Sequence, residues 1–80
     1  MRITKHSLRE MVTELNVALG RPAELLDIGH ISLDKNHIGY QLEEELNGYG
    51  AVFAHTDRVT AREMHFFLKG MIRGAGVTKS

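Results

Sequence analysis

Cysteine is absent from this chain, so neither a disulfide nor a thiolate metal site can support it. That absence suits a cytoplasmic protein. Ten basic and ten acidic residues cancel, leaving a formal net charge of zero. Long-range attraction to nucleic acid or to an anionic membrane is therefore not built into the total charge. No apolar run approaches the ~18 residues of a membrane span. Met1-Arg2-Ile3-Thr4-Lys5-His6 leads into no apolar segment of the kind a secretion signal needs. The expectation is a cytoplasmic protein without membrane contact. Proline occurs once, at Pro22, and there is no internal repeat or low-complexity stretch.

What is present fits one small domain. Eighty residues, 42% of them apolar, allow a single core. A chain of this size buries roughly 60–65% of its unfolded surface, which implies modest stability. Ser7-Leu8-Arg9-Glu10 and Thr60-Ala61-Arg62-Glu63 both have the spacing of a capping box. After the first, Leu8, Met11, Val12, Leu15, Ala18 and Leu19 form a helical stripe, opposite a polar face of Arg9, Glu10, Thr13, Glu14 and Asn16. Gly20 and Pro22 end that helix, predicted over 8–19. After the second, Ala61, Met64, Phe67, Leu68, Met71 and Ile72 form another stripe, predicted over 61–73 and ended by Gly74, with a frayed tail over 77–80.

Between the helices, residues 28–55 change to a period of two. With Lys35-Asn36 as a two-residue hairpin loop, Leu33 faces Ile38 and Ile31 faces Tyr40, and polar pairs occupy the other side. A second turn falls at Asn47-Gly48, or at the longer Asn47-Gly48-Tyr49-Gly50. Tyr40 to Leu46 also contains good helix formers, but the even-numbered apolar positions favour a strand. Glu44 is the misfit on the inner face and is expected near a sheet edge, with its carboxylate in water. The predicted architecture is α+β, in the order α-β-β-β-α. A three-stranded antiparallel sheet carries two helices packed on one face. It forms a single domain over 1–80 with an ordered core of about 7–74. The uncovered face presents His30, Ser32, Gly39, Gln41, Glu43, Glu45, Val52 and Ala54.

Few residues here suggest chemistry. His30 and His37 share that face but lie apart along the hairpin, and a zinc site needs three or four converging ligands. His55 is expected beside Tyr40 and His65 at the margin of the second helical stripe. Glu43 and Glu45 stand about 6.5–7 Å apart in a strand, a separation used by glycosidases, yet without an aromatic platform or a desolvating surround. A solvated acidic stripe that blocks edge pairing or meets a basic partner fits better. The glycines of 47–50 precede no lysine and open no helix, so they are turn residues. Met11, Met64 and Met71 belong to the stripes, and Ser7 and Thr60 are caps without a paired base. No catalytic residue, metal site or cofactor is implied.

The element order resembles that of the double-stranded-RNA-binding domain, across residues 7–74 in topology. The resemblance implies RNA contacts from the first helix, the first hairpin loop and the start of the second helix. Here those regions offer Lys5, His6 and Arg9; Lys35, Asn36 and His37; and Arg58 and Arg62. The lysine cluster that the family carries at the start of its second helix is absent, replaced by Asp57-Arg58-Val59-Thr60-Ala61-Arg62-Glu63. A second resemblance is in sequence. Val12-Thr13-Glu14-Leu15-Asn16-Val17-Ala18-Leu19-Gly20-Arg21-Pro22, the segment Ile28 to Asp34, and the helix from Thr60 to Gly74 look like small uncharacterised bacteriophage and prophage proteins. Ala23-Glu24 stands where that group has an aromatic.

The resulting expectation is a small non-enzymatic accessory protein of phage or prophage type in the cytoplasm of a bacterial host. It would act by contact with a host or phage protein or with itself as a homodimer, through His30, Ser32, Gln41, Glu43 and Glu45. The alternative is a nucleic-acid-binding module using Arg9, Lys35, His37, Arg58 and Arg62.

Overall fold

The computed structural model describes residues 2–78, in the order α1 (Lys5–Leu19), β1 (Ile31–Lys35), β2 (Tyr40–Glu45), β3 (Val52–Ala54) and α2 (Ala61–Thr78). The three strands form one antiparallel sheet with β2 in the centre. Residues 40–45 are a strand, so the pattern of alternation prevails over local helix propensity.

α1 begins one turn earlier than its sequence pattern predicts. Thr4, not Ser7, is the cap: the Ser7 N–H donates to Thr4 Oγ1 and the Thr4 N–H donates to Ser7 Oγ, each at 3.0 Å. Ser7 thus fills the third helical position, where Glu is commoner. Glu10, released from capping, lies 2.6 Å from His6 on the exposed face. Ile3, just before the cap, packs on the core and extends the apolar stripe backwards. Gly20 closes the helix in the left-handed region (φ 68°), with Gly20 N–H donating to Val17 O and Arg21 N–H to Asn16 O. The Thr60–Glu63 box at the start of α2 is formed as its spacing predicts. Gly74 does not end α2, which runs through Val77 to Thr78; Lys79 and Ser80 lie outside the described residues.

The first hairpin is shifted from its expected register. Leu33 pairs with Leu42, Ile31 with Glu44 and Lys35 with Tyr40. The turn is His37-Ile38, and the Asn36 side chain makes it. Asn36 Oδ1 accepts from both the Ile38 and Gly39 N–H groups, so the turn needs no positive φ. Ile38 is consequently exposed instead of facing Leu33. The shift moves partners in steps of two, so each side chain keeps its face. The second turn takes the longer form, 47–50, with Leu46 N–H donating to Ala51 O.

Leu8, Val12 and Leu15 of α1 and Met64 and Leu68 of α2 meet Ile31, Tyr40 and Leu42 in one buried cluster. Fully burying such a side chain contributes roughly 1.5–3 kcal/mol. Neither helix reaches β3, whose three residues are all exposed. Asn16, which its spacing assigns to the polar face of α1, is buried. Its Nδ2 donates to Ile31 O and its Oδ1 accepts from Ile31 N–H, both at 2.9 Å. Beyond β3 the chain returns to β2, and Tyr40 and Val59 exchange both backbone bonds at 2.8 Å. Gly39 permits this approach, because a Cβ there would lie 2.6 Å from Val59 O.

Two substitutions test these contacts by urea unfolding. Asn16→Ala strands both Ile31 groups under α1 and is expected to cost about 2 kcal/mol or more. Gly39→Ala must push the Val59 backbone away and is expected to cost about 1–3 kcal/mol. Unchanged midpoints would rule out either contact as a support of the fold.

Candidate functional site

A polar cluster joins the turn that follows α1, the central strand β2 and the residue that follows β3. The Schellman turn at Gly20 sends Arg21 back toward the sheet. There its Nη1 donates to Gly29 O at 3.1 Å and sits 3.2 Å from Glu44 Oε1. His55 Nε2 reaches the same Glu44 oxygen at 2.8 Å, and the His55 ring stands edge-on to Phe53 at 5.1 Å. All three polar side chains are half-buried. The hydrogen bond from His55, aided by the Arg21 guanidinium, holds the Glu44 carboxyl below its ordinary value. Glu44 is therefore not at a sheet edge. It occupies the central strand between Ile31 and Phe53, where Arg21 and His55 match its charge while 22% of the side chain stays open to water. His55 stands against Phe53 and Glu44. The arrangement orients an imidazole and a carboxylate, as general bases are oriented. Among the described residues, no nucleophilic side chain is hydrogen-bonded to His55, and no three of His, Cys, Asp or Glu converge as metal ligands. The cluster braces three chain segments.

The face left open by the helices is more self-contained than its sequence suggests. His30 is half-buried, and its Nδ1 donates to Pro22 O at 2.9 Å. Gln41 Nε2 donates to Thr56 O, and Ser32 lies opposite Glu43. Glu45 is buried: its Oε2 accepts from the Gly48 and Gly50 N–H groups, so its charge is spent on the turn. Burial and the neighbouring Asp34 push the Glu43 carboxyl up, with Arg58 opposing.

The basic residues do not form one surface. Arg58 Nη2 is 2.6 Å from Asp34, and its Nη1 is buried without a partner. The Lys35 ammonium stands 5.7 Å over the Tyr40 ring, and His37 is in the exposed turn of that hairpin. Arg9 lines a groove beside β1, whereas Arg62 lies on α2, 5.9 Å over Phe66. The residues missed from sequence are Arg21, His55 and Asn16. An inward-facing carboxylate at Glu44 was the one signal that a cation had to stand nearby.

The two carboxylates carry opposite pH signatures. Glu44 titrates lower in the fold than its ordinary value near 4.5, so its contribution is complete above that value and lost as pH falls through the folded one. Glu43 titrates higher, so its ionised form opposes folding at neutral pH and protonation relieves this. In thermal melts at neutral pH, Glu44→Gln should lower the midpoint and Glu43→Gln raise it. Both differences should shrink on acidification; like-signed shifts would refute the assignment.

Compared with known proteins, the chain matches no family, no curated protein and no solved structure.

Proposed function

We propose that this chain is a small non-enzymatic interaction module that contacts a protein partner, or a second copy of itself, through the apolar end of the molecule. The observation that carries this is Leu26. It holds a positive φ of 70° yet remains 48% exposed. A left-handed leucine costs roughly 1–2 kcal/mol; its positive φ closes the turn in which the Asp27 N–H donates to Glu24 O at 3.2 Å, a position where glycine would serve, and the exposed side chain adds little packing to the fold. Backbone strain of this kind concentrates at functional positions. Leu25 and Ile28 are exposed on the same loop. That loop lies against the second turn, where a Cβ on Gly48 would be 3.5 Å from Leu26 O. Leu46, Tyr49 and Phe53 add exposed apolar surface from the turn and from β3. A grouped apolar surface on so small a domain favours protein contact over catalysis.

The resemblance of residues 12–22 and 28–34 to small phage and prophage proteins supports an accessory role of that type in a bacterial cytoplasm, as does the absence of cysteine. The nucleic-acid reading draws less support, since Arg58 is committed to Asp34 and Lys35 and Arg62 stand over aromatic rings.

Leu26→Gly relieves the strain and removes the side chain. It should leave the unfolding midpoint unchanged or higher, and weaken concentration-dependent association in sedimentation velocity or partner capture from host lysate. If Leu26→Gly and Phe53→Ser both leave association and capture intact, the apolar end is not the contact surface.

A further inference from the structure

The zero net charge conceals a segregated surface. On α2, Arg62, Phe66, Lys69 and Arg73 recur at helical spacing and fall within roughly 60° of arc. The one acidic residue of α2, Glu63, falls about 100° from Arg62 and so outside that arc, and its carboxylate accepts from the Thr60 N–H at 3.0 Å. Beside this ridge, between α1 and α2, runs a groove of about 410 Å³. Met11 and Ile72 line it; His65, Lys69 and Arg73 border it from α2, and Glu14 from α1. Arg21 and Arg58 each meet a carboxylate, whereas Lys69 and Arg73 have none within ion-pair distance among the described residues.

Accepting that the chain is an interaction module, but on a surface separate from the Leu26 loop, we infer that the α1–α2 groove docks an amphipathic helix of a protein partner, acidic along one flank. Lys69 and Arg73 are about 6 Å apart along the α2 axis, the rise of one helical turn. Carboxylates one turn apart on a docked helix match that spacing, while an apolar residue between them enters against Met11 and Ile72. Glu14 on the opposite wall requires the other flank of the partner to be neutral or basic. A second copy laid through the same face offers Glu14 as the one carboxylate among the groove's lining residues, against two cations. A nucleic-acid strand is anionic on every side, so it meets Glu14 unfavourably and leaves the apolar lining unused.

The test is fluorescence anisotropy of the full chain with a synthetic helical peptide carrying a leucine stripe, glutamates on one flank and lysines on the other. Controls are the same peptide with glutamine for glutamate, an RNA duplex and a DNA duplex. The glutamate peptide should bind saturably and weaken with added salt. Lys69→Glu combined with Arg73→Glu should reduce its affinity about tenfold or more. Lys69→Gln with Arg73→Gln, checked for an unchanged circular dichroism spectrum, guards against a folding defect. Absence of peptide binding, equal binding by the glutamine peptide, or binding of a duplex in its place overturns the inference. Leu26→Gly separates the two readings. If the peptide fails while Leu26-dependent association persists, the groove assignment alone falls; if both are absent, the interaction-module reading falls with it.

Discussion

The buried amide of Asn16 exchanges two hydrogen bonds with the backbone of Ile31, and much of the architecture follows from it. Leu33 faces Leu42, whose own N–H and C=O are taken by Thr56 Oγ1 and the His55 N–H. Leu33 and Ile31 therefore turn their peptide groups toward the open edge of β1. At Ile31 the Asn16 side chain supplies the pair of bonds that another strand would make. It seats the last turns of α1 on the sheet, and it stops a further strand from extending along β1 past this point. The opposite edge is the three-residue β3, too short to be a strong template. Both sheet edges thus offer little backbone for strand addition.

The same economy governs the three consecutive glutamates of β2, identical in letter and different in environment. Glu43 faces outward beside Asp34 and holds its proton more tightly; Glu44 faces the core side and releases its proton more readily because His55 and Arg21 surround it. Glu45 points the same way as Glu43 but is drawn under the following turn. There its carboxylate receives backbone N–H groups that would otherwise be unpaired. The ladder contributes to this difference, because Gly29 and His30 both bond to Glu45, a two-against-one arrangement at the end of β1. An acidic run that suggests a uniform stripe is three separate electrostatic devices.

The order of elements was legible in the sequence because hydrophobic period changes cleanly from helical to alternating and back, and each side chain's face followed from parity. What parity does not resolve is register: any even shift along the partner preserves every face, so Leu33 opposite Ile38 and Leu33 opposite Leu42, four residues further on, look alike. The choice is made by Asn36, whose side chain replaces a backbone acceptor in the turn. Asn16 was hidden for a related reason. An amide among polar neighbours on a helix reads as solvated until the edge of β1 is brought against it. The Arg21–Glu44–His55 cluster joins residues far apart in the chain, and only the misfit of Glu44 announced it.

Net charge concealed the remaining feature. Acidic residues gather on the loop at 24–27 and on the sheet, while α2 beyond its first turn carries Lys69 and Arg73 with no acidic residue. Summed, these cancel; separated, they leave the later turns of α2 with two cations and no acidic residue on the same helix. At ionic strengths where fields decay over about 10 Å, a partner approaching α2 senses the nearby cations more than the total. The strained leucine loop and the α1–α2 groove lie on different elements, so one need not be vacated for the other to be occupied. On the reading proposed above, the domain has two separable surfaces with which to join other chains. The neutral total then serves it, because neither surface is masked by a dominant field from the rest of the molecule.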